Sequence, residues 1–182
     1  QNNSDANNNI GYIYYKGYGV DQDYSEALKW FRISADQGNS NAQNNIGNMY
    51  YYGQGVLQDY NEALKWYNLS ANQNNGDAQN NIGQIYYDGF GVEKNYNEAY
   101  NWYKKSADQN NRVAQHKLGT LYFDGLGVKR DYKEAIKWFK LSAEQGDNDS
   151  LYYLGCCYYY GWGVFRDYIE ALKLFNKCFE LN

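Results

Sequence analysis

The chain has one histidine, His116, and three cysteines, Cys156, Cys157 and Cys178. These are the residues with the widest reactive chemistry, and their spacing arms none of them. A nucleophile needs an adjacent base and an orienting acid, but one histidine furnishes no recurring constellation of that kind. Neither G-x-S-x-G nor S-x-x-K occurs. The cysteines make no even disulfide framework and no paired C-x-x-C, and His116 lies far from them, so zinc is not expected. They read as incidental reduced thiols. Two further signals invite a chemical reading. The G-x-G-V loops lack the third glycine and the preceding strand of a dinucleotide fingerprint. The Asp–Glu pairs three residues apart, beginning Asp23/Glu26, recur too regularly to be an acid–base pair. No cofactor, no metal and no enzymatic activity are expected.

Those loops and pairs are punctuation of a 36-residue repeat. IGYIYYKGYGV at Ile10 returns as IGNMYYYGQGV at Ile46, IGQIYYDGFGV at Ile82, LGTLYFDGLGV at Leu118 and LGCCYYYGWGV at Leu154. A second block follows at fixed distance, from DYSEALKWF at Asp23 to DYIEALKLF at Asp167. Each copy reads as two helices. In the first, Ala6, Ile10, Ile13 and Tyr14 share one face. It stops at Gly17-x-Gly19, where glycine tolerates a left-handed backbone. The second opens at Asp23 with Glu26 three residues on, a predicted capping box. It buries Tyr24, Ala27, Leu28, Trp30 and Phe31, and it closes at Gly38, Asn74, Asn110 and Gly146 in the first four copies. Glycine inside the first helix (Gly11, Gly47, Gly83, Gly119, Gly155) costs about 1 kcal/mol against alanine. Close backbone approach is therefore expected there, with Ala27, Ala63, Ala99, Ala135 and Ala171 as the facing partners. The predicted fold is all-α: a right-handed α/α solenoid superhelix whose copies contact mainly their neighbours. The repeats span 5–40, 41–76, 77–112, 113–148 and 149–182 of a single array.

The pattern A-x3-[IL]-G-x2-Y-x2-G-x-G-V-x2-[DN]-Y-x-E-A-x2-W-[FY] resembles the Sel-one-like repeat (SLR), a relative of the tetratricopeptide repeat, over essentially the whole chain. The resemblance implies an adaptor or scaffold that gathers protein partners. Cysteine-rich members linked to β-lactam binding carry their cysteines in every copy, and this chain does not, so that activity is not carried over. The fifth copy departs from the pattern: Leu174 replaces the tryptophan and Phe179 the small residue. It reads as a degenerate end cap or as a point beyond which the array once continued.

Composition narrows the partners. A formal charge of -4 and a pI near 5.0 oppose nucleic acid, because the 17 basic residues are scattered among 21 acids. No run of apolar residues is long enough to cross a membrane. Nothing fixes the compartment: cytosolic, or secreted if a leader was removed. In a tetratricopeptide-like hairpin the first helix lines the concave face. Its positions outside the core carry Asn8, Asn44, Asn80, His116 and Tyr152; Tyr12, Asn48, Gln84, Thr120 and Cys156; and Tyr15, Tyr51, Tyr87, Phe123 and Tyr159. Asparagine offers a donor and an acceptor to a peptide backbone, and tyrosine adds rigid contact area. A groove for an extended peptide or a partner domain is therefore expected on this face. His116 also reads as a simple solvated side chain. The alternative reading is a glycan-binding or cell-wall or host-surface protein, with rings stacked on sugars. The 25 asparagines and 23 tyrosines also fit AT-rich genome bias. An aromatic hot spot is expected at Tyr153, Tyr160 and Trp162, which equally suits self-association through the C-terminal repeat.

Overall fold

The computed structural model describes residues 3–180, so the last two residues of the fifth repeat lie outside the described residues. Every regular element among them is helical. The order is α1 (Ser4–Lys16), α2 (Tyr24–Asp36), α3 (Ser40–Tyr52), α4 (Tyr60–Ala71), α5 (Gly76–Asp88), α6 (Tyr96–Ala107), α7 (Arg112–Asp124), α8 (Tyr132–Glu144), α9 (Asn148–Tyr160) and α10 (Tyr168–Glu180). The all-α expectation of two helices per repeat is met. The chain divides into two compact units, residues 1–94 with α1 to α5 and residues 95–182 with α6 to α10.

The helix ends follow the sequence signals, with one correction. The Asp59 carboxylate accepts from the Asn61 and Glu62 amides, Asn95, Asp131 and Asp167 cap their helices in the same way, and Asp23 accepts from the Glu26 amide. The second half of the predicted capping box is absent. Glu26, Glu62, Glu134 and Glu170 pair instead with the lysine one turn on, as in Lys65 Nζ–Glu62 Oε2 at 2.7 Å. The cap residue's own amide has a better acceptor. Asp23, Asp59, Asp131 and Asp167 each donate to the carbonyl of the repeat's invariant tyrosine (Tyr14, Tyr50, Tyr122, Tyr158) at 2.9–3.0 Å. That bond ties the turn to the preceding helix. The other end is closed by a left-handed residue at Gly38, Asn74, Asn110 and Gly146, as expected.

Within each unit the hairpins are pinned by two devices. Ser34, Ser70 and Ser142 donate to the carbonyls of Ser4, Ser40 and Arg112, fastening the last turn of the second helix to the start of the first. The helical glycines admit an aromatic ring. A Cβ on Gly47 would lie 2.5 Å from the Tyr67 ring, and one on Gly119 equally close to Phe139. The expected alanine partners are met in part: Ala27, Ala63, Ala99, Ala135 and Ala171 are buried, and the Ala27 carbonyl would lie 3.2 Å from a Cβ on Gly11, but the ring four residues later comes closer over the glycine.

The cores lie between repeats. In the first unit Ala27, Phe31 and Ala35 of α2 pack on Ala42, Ile46 and Met49 of α3, with Leu28, Val56 and Trp66 around them. In the second, Ala135, Ile136, Phe139 and Ala143 of α8 meet Leu151, Leu154 and Cys157 of α9. At roughly 1.5–3 kcal/mol for each large apolar side chain buried, this junction outweighs any single hydrogen bond in the hairpin.

The G-x-G turn belongs to the same junction. Its second glycine is left-handed in every copy (φ 67° to 72°). A Cβ on Gly55 would press on Tyr24 at 2.6 Å, and one on Gly163 on Tyr132 at 2.8 Å, in each case the start of the preceding repeat's second helix. Gly19 has the same φ of 72° and no atom within 4 Å, because no described repeat precedes it. Alanine at Gly19 is therefore expected to cost only the left-handed backbone, about 1–2 kcal/mol. Alanine at Gly55 should cost about 1–3 kcal/mol more through overpacking. Urea unfolding of the two variants measures the difference, which should vanish if the turn does not bear on the neighbouring repeat.

Candidate functional site

Within each unit the first helices of successive repeats are joined through side chains, and that joining decides the fate of the residues expected to face a ligand. In the first unit the asparagines bond chiefly to one another. Asn45 Nδ2 donates to Asn8 Oδ1 at 3.0 Å. Asn81 Nδ2, one repeat on, is shared between Asn44 Oδ1 at 3.0 Å and Asn48 Oδ1 at 3.2 Å. Asn48 also accepts from the buried Tyr67 hydroxyl at 2.8 Å. Asn44 is only 8% exposed. The position read from sequence as outside the core is therefore, in the middle of the array, an inter-helix seam. Asn80 is the exception: its Nδ2 makes one long bond to Asn81 at 3.5 Å, while its Oδ1 is buried and has no partner.

The tyrosines of this face form a second row. Tyr15 donates to Gln54 Oε1 at 2.6 Å and packs on Tyr24 and Tyr12. Tyr51 packs edge-on against Tyr60, which stacks on Phe90 at 4.8 Å. The loop residue of one repeat thus lies on the ring that opens the previous repeat's second helix. Tyr15 and Tyr51 are half-buried, burial pushes both phenols up (Tyr51 to about 12), and they stay neutral at physiological pH. Tyr12 is exposed, with the Lys16 ammonium 5.6 Å from its ring centre. Gln84 donates to Asp88 one turn on, and Tyr87 is half-buried.

In the second unit the same places carry different chemistry. Thr120 donates back to the Lys117 carbonyl at 2.7 Å. Phe123 is enclosed by Tyr132, Tyr153 and Trp162. Tyr153 stacks on Phe139 at 4.9 Å and is part of the α8–α9 packing, so of the expected hot spot only Tyr160 is openly exposed. Trp162 is sandwiched between Tyr132 and Tyr160, at 5.9 and 4.6 Å. Tyr152 and Tyr159 are exposed, as expected. The Cys157 thiol is buried and pushed up to about 12, which leaves it protonated and unreactive. All three cysteines are free thiols.

His116 is not a solvated side chain. Its Nδ1 lies 2.9 Å from Ser150 Oγ and 3.3 Å from Asp147 Oδ1, and the ring packs on Phe139 and Tyr153. The three residue types are those of a serine hydrolase, but the arrangement is not. A relay needs serine and aspartate on opposite ring nitrogens; here both address Nδ1, and Ser150 is fully buried. Asp147 is the N-cap of α9 and accepts the Ser150 amide. No sequence signal placed Ser150 beside His116. The N-caps of the other first helices, Asn3, Asn39, Asn75 and Asn111, were equally missed. An asparagine or aspartate three residues before each repeat's alanine was the signal available for them.

Burial pushes the His116 imidazole below its ordinary 6.5, with Lys117 acting in the same direction and Asp147 and Asp149 opposing it. The folded state therefore favours the neutral ring. Its contribution to stability is present above about pH 6.5 and is lost as pH falls toward the folded value, because the unfolded chain takes up the proton first. Urea midpoints at pH 7.5 and 5.5 should fall less for His116→Asn, which installs the residue found at Asn44 and Asn80, than for the unaltered chain.

Comparison with known proteins accords with this architecture. The model of the Sel1 repeat matches residues 4–39, 40–75, 76–111, 112–147 and 148–181. A Sel1 repeat protein from Oxalobacter formigenes is 37% identical with a TM-score of 0.92, over 98% of this chain and 73% of its own. The Escherichia coli protein c5321, a protective antigen present in uropathogenic strains that displays an SLR fold, is 36% identical with a TM-score of 0.88. That match covers 98% of this chain, which spans only 38% of the E. coli chain. Helicobacter pylori cysteine-rich protein B shares the fold at 21% identity and a TM-score of 0.56, over 70% of this chain and 95% of its own. A comparison with curated proteins returned no match. Five end-to-end repeat matches, ten helices in the corresponding places and two solved relatives above 35% identity lead to one conclusion: the chain belongs to the Sel1 repeat family.

Proposed function

We propose that the protein is a non-enzymatic adaptor that takes a peptide or partner domain on the first-helix face of each unit. Sel1 repeat proteins typically mediate protein–protein interactions, and the family is generally non-enzymatic. The observation that carries the reading to this face is Asn80. Its carboxamide oxygen is buried without a partner, in a row where the other asparagines have their oxygens engaged. An unmet buried acceptor costs about 1–3 kcal/mol, and a turn of the Asn80 carboxamide that brings this oxygen to a peptide N–H lying along the face would remove that cost. The neighbouring rings supply apolar contact without needing to order: Tyr15 and Tyr51 are already held by their neighbours, and Tyr12 is exposed beside them.

The asparagine ladder acts differently from the sequence expectation. Asn8, Asn44 and Asn48 hold the helices in register, and Asn80 contacts the ligand. In the second unit, Tyr152 and Tyr159 are the matching exposed positions, while His116 and Phe123 pack on Tyr153 and Thr120 bonds within its own helix. A glycan-binding reading is favoured by one feature, the exposed Tyr160 ring held by its stack on Trp162, since the outer face of such a ring suits a sugar.

Immobilised peptide and glycan arrays separate the two. Peptide capture is expected, and capture of glycans alone would replace the adaptor reading. For the captured peptide, Asn80→Ala should weaken binding about five- to tenfold with stability unchanged or raised. Asn44→Ala should instead lower stability by about 1 kcal/mol, because Asn81 loses an acceptor. Equal peptide affinity for Asn80→Ala and the unaltered chain would exclude this role of Asn80.

A further inference from the structure

The fifth repeat breaks the pattern on the second helix of its hairpin, at Leu174, and a groove lies beside that residue. Between α8, α9 and α10 lies an open groove of about 330 Å³, bordered by Lys140, Leu151, Leu154, Tyr158, Leu174 and Lys177. Its floor is apolar, since Leu151 and Leu154 are 2% and 3% exposed. The repeat itself identifies what such a place accommodates. In the second repeat the residue equivalent to Leu174 is Trp66, which packs against the Ala27–Met49 core at the α2–α3 junction. In the fourth it is Trp138, and the Lys104 ammonium, from the second helix of the preceding repeat, lies 5.4 Å from its ring centre. Thirty-six residues on from Lys104 and Trp138 stand Lys140 and Leu174. The cation is kept and the ring is missing. Trp138 Nε1 is buried without a hydrogen-bond partner, so the place selects for a flat ring and not for the indole N–H.

We propose that the groove beside Leu174 is a docking site for an aromatic side chain of a partner protein, which occupies the place that Trp66 and Trp138 fill in their own repeats, beneath Lys140. The site is separate from the first-helix face and does not depend on it. Tyr158 is half-buried at its edge, and Lys177 is exposed at its rim. Both are placed to border a ring with an edge contact and a second cation.

Titration of the full chain with 5-fluoroindole, followed by fluorine NMR, tests the site. A saturable shift with a Kd in the millimolar range or tighter is expected for so small a probe. Proton NOEs from the probe should reach the methyls of Leu151, Leu154 and Leu174. Leu174→Trp fills the groove with the repeat's own residue and should raise the melting temperature and weaken probe binding at least about tenfold. Lys140→Ala should weaken it about two- to fivefold, the value of an exposed cation–π contact. The absence of a saturable shift, NOEs to residues elsewhere, or full binding by Leu174→Trp would overturn the proposal. Sedimentation of the unaltered chain supplies the remaining outcome: an oligomer that Leu174→Trp dissolves would make the occupant a second copy and overturn the partner assignment. Should Leu174→Trp not fold, the NOEs and Lys140→Ala decide alone.

Discussion

The junction between one repeat and the next is the constraint on which the rest of the structure depends. A single hairpin of two short helices has too little apolar surface to order itself, and most helical stability comes from tertiary packing. Here that surface lies between repeats, with Ala27, Phe31 and Ala35 of one copy against Ala42, Ile46 and Met49 of the next. Several features that look like local helix punctuation serve this junction. The second glycine of G-x-G lets the turn approach the preceding helix, and the loop residue between the glycines covers that helix's first ring. Both need a strict 36-residue period, since one inserted residue would rotate the turn away from its neighbour.

The same constraint governs the polar residues. Side-by-side first helices bring carboxamides together where water is scarce, and buried polar groups must find partners. Asparagine answers with a donor and an acceptor on one short side chain, which explains why Asn45 bonds Asn8 and Asn81 bonds both Asn44 and Asn48. Much of the asparagine excess acquires a structural role in this way. Asn3, Asn39, Asn75 and Asn111 cap helices, and Asn74 and Asn110 adopt the left-handed backbone that ends them. Asn80 stands out because its oxygen shares none of these roles. In the second unit His116 occupies the equivalent place and uses Ser150 and Asp147 for the same purpose.

The fifth repeat shows how far the rules can be relaxed. Cys178 takes the place of the hairpin-pinning serine and still reaches the Asn148 carbonyl, at the longer 3.6 Å suited to sulfur. Phe179, where the other copies bury alanine, is 82% exposed, and Leu172 and Ile169, earlier on the same helix, are exposed as well. A bulky ring in the alanine position changes the shape that a following helix would have to match. Leu174, where the other copies carry tryptophan, borders the groove between α8, α9 and α10. These departures concentrate the exposed apolar surface of the second unit on α9, α10 and their turn.

Repeat period, helix count, cap residues and left-handed ends were legible in the sequence because each depends on residues within one or two turns of one another. Gly17, Asp23 and Gly38 act through their own backbone and side chain, so their types announce their roles. The aromatic ring over Gly47 was less legible, since Ala63 and Tyr67 lie on the same helix and only packing chooses between them. The candidate site was least legible. Helical spacing placed Asn44 and Asn48 on one side of α3, and both meet Asn81 of the next first helix. Whether the face meets water or another helix depends on residues about 36 positions away, and only the tertiary structure decided it. Local rules see one helix at a time, whereas exposure is set by what lies beside it.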